Sequence, residues 1–177
     1  ILKYQYQQRG EALPDWLPAY EANELKVSCL FGEHLLSKYP LNPVALVEAP
    51  KGAIYGTLYF GLPNVPERFL WLAVYNLSSL NVDKCKALEG RQVVLFPDLS
   101  KDGKAFELWN SKLKELNTIK GARFTISGLL ESKASEAERL NGFDIADYLI
   151  TKDWRLFRDS EKSEQSESQN KDILLQQ

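Results

Sequence analysis

Several residue types that mark common classes of protein are scarce or missing in this sequence. It has one histidine, two cysteines and no methionine among its 177 residues. Cys29 and Cys85 do not form a CxxC pair, so neither a thiolate zinc site nor a disulfide framework is expected. We expect both cysteines to be buried structural residues. Two free thiols fit a reducing compartment, which favours a cytoplasmic location.

Long apolar runs and an excess of positive charge are also absent. The sequence contains no stretch of about eighteen apolar residues and does not open with a charged segment followed by an apolar one, so neither a membrane span nor a signal peptide is predicted. The net charge is −2, whereas nucleic-acid-binding domains usually have a clear excess of Lys and Arg. Binding to nucleic acid would therefore need a local basic patch.

The composition that is present predicts one folded domain with flanking segments. Apolar residues make up 44% of the chain, with four Trp and eight each of Tyr and Phe, which is enough for a packed core. We expect a lead-in segment at residues 1–28, a domain at residues 29–158 and a disordered polar tail at residues 159–177. The first residue is Ile and methionine is missing, which indicates either a fragment or a sequence whose lost methionines leave gaps in the spacing.

Four short apolar runs predict strands that are buried on both faces. They occupy residues 44–47, 69–74, 93–96 and 122–126. Helical patterns separate them at residues 51–60, 82–88 and 103–116, and the last of these places Phe106, Trp109, Leu113 and Leu116 on one face. The alternation predicts an α/β fold, a mostly parallel sheet of about four strands with helices on both faces.

Capping patterns predict two short helices near the end of the domain. Ser135 and Glu138 form a capping box, and Gly142 can end the helix that they open. Asp144 can cap a further helix that runs through Ile150. The domain is therefore expected to end shortly after this helix.

Carboxylates directly follow two of the predicted strands. Glu48 comes after the first strand, and Asp98 comes after the third strand and Pro97. In an open parallel sheet, ligands bind outside the carboxyl ends of the strands, so neighbouring strands would bring both side chains into one crevice. Mg²⁺ takes one or two carboxylates together with water and phosphate oxygens. The pattern therefore indicates a metal site at this edge of the sheet.

The same carboxylates also fit a purely structural interpretation. Asp98, Ser100 or Asp102 can cap the helix that follows them, and Glu48 can pair with Lys51 on the surface. The spacing alone leaves the metal site and the structural roles open.

Three segments resemble the sequence motifs of the Toprim fold. They are residues 44–48 (VALVE) with Lys51, residues 90–98 (GRQVVLFPD) and residues 142–149 (GFDIADYL). Together with residues 29–36 (CLFGEHLL) and 95–104 (LFPDLSKDGK), they resemble the Toprim-like domain that follows a zinc ribbon in primase-related proteins of bacterial mobile elements. The resemblance covers residues 29–158 and implies that a zinc-binding region lies upstream of Ile1.

The resemblance implies phosphoryl transfer on nucleic acid, with DNA as the expected substrate and Mg²⁺ or Mn²⁺ as the cofactor. It also implies a primase-like role in DNA replication, with other replication proteins as partners. The expected catalytic residues are Glu48 and Asp98, and the expected metal ligands are Glu48, Asp98 and Asp102. The expected phosphate-binding residues are Lys51, Lys101 and Lys104. Asp144 and Asp147 form a secondary acidic element.

The sequence departs from the Toprim pattern at several positions. Ser100 stands where the family has a second acidic residue, so Asp102 would have to replace that ligand. Ala49, Pro50 and Lys51 follow Glu48, where active members commonly have Gly and Asp. An alternative is therefore a degenerate, non-catalytic module that binds nucleic acid or protein. A third alternative is an α/β domain for a small phosphorylated ligand, since a fold alone does not determine function.

Two further groups of residues have both a structural and a functional interpretation. His34 is the only histidine, and we expect it to be structural because no second ligand accompanies it. Trp154 and Phe157 lie beside Arg155 and Arg158. We expect these two aromatic residues to pack the last helix onto the sheet, and base stacking is the alternative.

Overall fold

The computed structural model describes residues 2–17 and 29–158. The predicted disordered tail at residues 159–177, and residues 18–28 of the predicted lead-in segment, lie outside the described residues. The part of the lead-in segment that is described begins with helix α1, Leu2–Gln8.

A four-stranded, entirely parallel sheet forms the centre of the protein, as predicted. Its strands are β1 (Val44–Val47), β2 (Leu70–Ala73), β3 (Gln92–Phe96) and β4 (Arg123–Ile126). Their order across the sheet is β2-β1-β3-β4. The two central strands, β1 and β3, are therefore neighbours although β2 lies between them in the sequence.

Helices connect and follow the strands. The α-helices are α2 (Pro50–Phe60), α3 (Val82–Cys85), α4 (Lys104–Leu116), α5 (Leu129–Lys133), α6 (Glu136–Leu140) and α7 (Ile145–Ile150). Short 3₁₀ helices occupy Glu33–Leu36, Leu77–Ser79, Lys86–Leu88 and Trp154–Phe157. The helix predicted at residues 82–88 is thus one turn of α-helix continued by a 3₁₀ turn. The capping boxes at Ser135 and Asp144 are both present.

Both faces of the sheet are covered, which confirms the prediction of helices on both sides. Side chains alternate between the faces because successive residues of a strand point in opposite directions. The core on one face joins the sheet to α4 and includes Val44, Leu46, Trp109 and Leu116. The core on the other face joins the sheet to α2 and α7 and includes Ala45, Val47, Ala53 and Leu149.

Two glycines let α2 lie very close to the sheet. A Cβ atom on Gly56 would be 2.2 Å from Cδ2 of Trp71, and a Cβ atom on Gly52 would be 3.1 Å from Cγ2 of Ile145 and 3.2 Å from Cγ2 of Val47. A side chain at Gly56 would overlap the Trp71 ring, and one at Gly52 would require its neighbours to shift slightly. The close packing fixes the first turn of α2, where Lys51 follows Pro50, at the carboxyl edge of the sheet.

Two expectations about individual side chains need correction. Cys85 is buried in the core, as expected, and burial raises the pKa of its thiol to about 12, but Cys29 is exposed. Phe157 packs as expected against the core on the α2 face of the sheet, where its ring centroid is 5.7 Å from that of Tyr59. Trp154 is 45% exposed, so only one of these two aromatic residues joins the core.

Candidate active site

The site lies at the carboxyl ends of β1 and β3. Strand β2 pairs with one edge of β1, and β3 pairs with the opposite edge of β1. Strand order reverses at this point, and in such sheets ligands bind in the crevice that the reversal opens. Val47 is paired with Phe96, so Glu48 and Asp98 follow the last paired residues of neighbouring strands. The predicted placement of these two carboxylates on adjacent strands is confirmed.

Glu48 and Asp98 share a hydrogen bond between their side chains. Burial, together with the charges of Glu48 and Asp144, raises the pKa of Asp98 to about 8, although the charge of Lys51 opposes this shift. Burial also raises the pKa of Glu48, although the hydrogen bonds from the Leu77 backbone N–H and from Asp98 oppose this shift. The proton is therefore on Asp98, which donates to the Glu48 carboxylate, as expected for two close carboxyl groups.

Lys51 binds the acidic element at the start of α7. Its Nζ atom lies 3.0 Å from Oδ2 of Asp144 and 2.9 Å from Oδ1 of Asp147. The remaining oxygens of the two aspartates accept backbone N–H groups of the capping box. Burial alone would lower the pKa of Lys51, but the hydrogen bonds to Asp147 and Asp144 outweigh it and raise that pKa. Lys51 thus forms ion pairs with Asp144 and Asp147 and does not form the surface pair with Glu48.

Asp102 has a structural role at the start of α4. Its Oδ2 atom lies 2.5 Å from Nζ of Lys104, and its Oδ1 atom accepts the backbone N–H of Lys104 at 3.3 Å. Ser100 accepts the N–H of Ala105 at 3.0 Å through its hydroxyl. The charges that shift the pKa of Asp98 are those of Glu48, Asp144 and Lys51, and Asp102 is not among them.

The structure therefore divides the predicted site residues into two groups. It brings Glu48, Asp98, Asp144, Asp147 and Lys51 together. It leaves Lys101 and Asp102 exposed on the turn before α4 and Lys104 exposed at the first residue of that helix. Among residues 2–17 and 29–158, no three His, Cys, Asp or Glu side chains are grouped so that they could hold a metal ion. The expected three-carboxylate set with Asp102 is thus not formed. A cation at this edge would have two carboxylates, those of Glu48 and Asp98.

Two features of the site were not found from the sequence. The Leu77 backbone N–H binds Glu48, which depends on how the chain turns after β2. Tyr75 also follows β2, with a positive φ of 81°. The same search for residues after buried strands that found Glu48 and Asp98 would have found Tyr75 if it had included aromatic residues as well as carboxylates.

Comparison with known proteins gives a family but no function. A family described as a domain of unknown function, DUF6371, matches residues 3–99, which is just over half of the chain, so the protein belongs to this family. No curated protein and no solved structure matches the chain. Within the described residues, no helix is both long enough and apolar enough to cross a membrane.

Proposed function

We propose that this protein is a Toprim-like, primase-related domain that binds Mg²⁺ or Mn²⁺ through Glu48 and Asp98 and promotes phosphoryl transfer on nucleic acid. DNA is the proposed substrate, and a role in the replication of a mobile element, in the cytoplasm and with other replication proteins, is part of the same proposal. The observation that carries it is the hydrogen-bonded pair of carboxyl groups at the reversal of strand order.

The donor set at this position fits a hard divalent cation. Two partly buried carboxyl groups repel each other when both are ionised, and here a proton on Asp98 relieves the repulsion. A divalent cation can take the place of that proton, since Mg²⁺ binds one or two carboxylates and completes its shell with water and phosphate oxygens. When bound, the cation would neutralise the charge on the phosphate that reacts.

Glu48 is suited to acid–base work at this site. Its carboxylate is fixed by the Leu77 N–H and by Asp98. In the metal-free protein its raised pKa is closer to neutral pH, where a group can accept a proton and return it efficiently. Asp98 holds the one proton of the pair and gives it up when a cation binds. Asp144 lies close enough to raise the pKa of both groups.

In this proposal Lys51 positions the acidic element formed by Asp144 and Asp147 and does not bind phosphate. Its ammonium group is held by Asp144 and Asp147, so its charge is already balanced and it is a weaker phosphate ligand than the sequence indicated. Lys101 and Lys104 are exposed and lie three and six residues beyond Asp98 in the sequence. They remain the proposed phosphate contacts, although the ion pair between Lys104 and Asp102 must break before Lys104 can bind a phosphate.

A degenerate interaction module is the second candidate, and one observation favours it. Ser100 and Asp102 bind backbone N–H groups at the start of α4, which leaves two carboxylates where the Toprim pattern has more. A domain with this arrangement could bind nucleic acid or protein without catalysing a reaction. The two candidates differ in whether the Glu48 and Asp98 pair binds metal.

Calorimetric titration of Mg²⁺ and Mn²⁺ separates the candidates. We expect the parent protein to bind one cation at pH 8.5, where Asp98 is ionised, and Glu48→Gln to lose this binding. Asp102→Asn is the matched control, because it removes a carboxylate of the same loop and should bind the cation as the parent does. Absence of binding by the parent at millimolar concentration would remove the catalytic proposal and leave the interaction module.

A further inference from the structure

The residue at the turn after β2 has a backbone conformation that is unfavourable for its type. Tyr75 has a φ of 81°, and it is the one residue other than glycine with a positive φ in the described part of the chain. Bulky residues rarely adopt this left-handed conformation, and it persists only where the surroundings hold it. Such conformations cluster at ligand-binding positions.

The chain is fixed on both sides of Tyr75. The N–H of Val74 donates to the carbonyl of Val47 at 3.1 Å, and the carbonyl of Val74 accepts from Nζ of Lys84 at 3.0 Å. On the other side, the Leu77 carbonyl accepts from the Trp109 indole at 3.0 Å, and the Leu77 backbone lies close enough to Glu48 to lower the pKa of that carboxyl. The turn is therefore a rigid support for the ring of Tyr75.

The ring of Tyr75 is oriented but not covered. Nζ of the buried Lys84 lies over it, 5.2 Å from its centroid. Phe31 packs perpendicular to it at a centroid distance of 6.5 Å. Even so, 46% of Tyr75 is exposed. An aromatic ring that is held in place and still open to solvent can present a flat surface to a ligand.

Tyr75 belongs to the same edge of the sheet as the carboxylate pair. Val47 of β1 is paired with Ala73 of β2, so Glu48 and Tyr75 both lie just beyond paired residues at the carboxyl ends of adjacent strands. The Leu77 N–H that holds Glu48 is two residues beyond Tyr75. A nucleotide whose phosphate reacts beside Glu48 would thus have Tyr75 close to it.

We propose that Tyr75 is a base-stacking residue for single-stranded nucleic acid bound at the Glu48 and Asp98 site. This inference rests on the proposed function and adds the contact by which the substrate is held. Glycine would suit this backbone conformation better than tyrosine. Every base has an aromatic face, so such a contact would bind bases without regard to sequence.

Binding of labelled single-stranded oligonucleotides, followed by fluorescence anisotropy with Mg²⁺ present, tests this inference. One oligonucleotide consists of thymidines, and the other has the same length and abasic sites in place of bases. For Tyr75→Gly we expect binding of the thymidine oligonucleotide to weaken at least about fivefold, with little change for the abasic one. The variant should fold, because glycine relieves the backbone conformation.

Two control variants complete the test. Tyr75→Phe keeps the ring and should bind within about twofold of the parent, because stacking does not need the hydroxyl group. Trp154→Ser removes another exposed aromatic residue and should leave binding unchanged. The inference is overturned if Tyr75→Gly binds like the parent, if it weakens both oligonucleotides equally, or if Trp154→Ser alone produces the loss.

A metal titration on the same variants keeps the two proposals apart. Tyr75→Gly should bind Mg²⁺ or Mn²⁺ as the parent does, since the side chain of Tyr75 is not a ligand. Normal metal binding and normal oligonucleotide binding by this variant would overturn the role of Tyr75 and leave the proposed function intact. If the parent protein binds neither oligonucleotide, both the proposed function on nucleic acid and the stacking role of Tyr75 are overturned.

Discussion

Asp98 donates a hydrogen bond to the carboxylate of Glu48 across the junction between β3 and β1. Burial, with the charges of Glu48 and Asp144, raises the pKa of Asp98 to about 8, so the pair holds a proton at neutral pH. A proton held in this way can be exchanged for a cation or lost as the pH rises. The stability and the metal affinity of the protein should therefore both depend on pH.

Stability should fall as the pH rises through the range in which Asp98 ionises. A carboxyl group with a raised pKa in the folded state stabilises that state below its unfolded pKa of 3.8, and the contribution is lost as the pH approaches 8. The limiting slope is about 1.4 kcal/mol of unfolding free energy per pH unit. We expect Asp98→Asn to flatten this slope, and urea unfolding at pH 5 to 9 measures it.

Asp102→Asn is the control for this pH dependence. Asp102 is exposed and its pKa is lowered, first by its hydrogen bond with Lys104, so it is ionised throughout this range. Its replacement should leave the slope between pH 5 and 9 as in the parent. An unchanged slope in Asp98→Asn would show that the carboxyl pair does not hold the proton.

Metal binding should release a proton from the site. Asp98 must ionise before it can act as a ligand, so the affinity for Mg²⁺ should rise about tenfold per pH unit up to pH 8 and level off above it. Calorimetry at pH 7 in two buffers of different ionisation enthalpy measures the number of protons released, which we expect to be about one. An affinity that does not change between pH 6 and 8 would contradict this assignment.

Replacement of Lys51 should destabilise the protein. Lys51→Gln leaves the buried Asp144 without the ammonium group that lies 3.0 Å from it. Loss of one partner from a fully buried ion pair costs about 3–5 kcal/mol, but the side chain of Lys51 is 49% exposed, so we expect roughly 1–2 kcal/mol. Chemical denaturation at pH 7 measures the difference.

Lys104→Gln serves as the matched lysine variant. It breaks the pair of Lys104 with Asp102, which is fully solvated on both sides, so no measurable loss of stability is expected. Equal effects of the two lysine substitutions would mean that the burial of Asp144 does not matter to the stability of this edge.

A methyl group on Gly56 should disrupt the packing of α2 on the sheet. In Gly56→Ala the new Cβ atom would lie 2.2 to 2.6 Å from three atoms of the Trp71 indole, so the helix or the ring must move. We expect a loss of about 3 kcal/mol or more, at the upper end of overpacking effects. Gly128→Ala is the control, because nothing lies within 4 Å of its Cβ position. Thermal unfolding of both variants makes the comparison, and equal melting temperatures would contradict the close approach.

Local patterns in the sequence were sufficient to predict the strands and the two carboxylates that follow them. Residues 44–47 are apolar at every position and are buried at every position, because β1 has neighbours on both edges and helices on both faces. Parallel strands all end at one edge of the sheet, so Glu48 and Asp98 had to lie on that edge once the strands were known. The capping box of Ser135 with Glu138 and the N-cap at Asp144 depend on residues close in the sequence, and they were predicted for the same reason.

Contacts between distant parts of the chain were decided only by the tertiary structure. The strand order makes β1 and β3 neighbours, and no local pattern records which strands pair. Asp102 forms an ion pair with Lys104, which is two residues away in the sequence. Lys51 pairs with Asp144, which is distant in the sequence, because α2 and α7 pack together on one face of the sheet. The left-handed conformation of Tyr75 is held by Lys84, Phe31 and the turn to Leu77, and these contacts exist only after the sheet and both cores have formed.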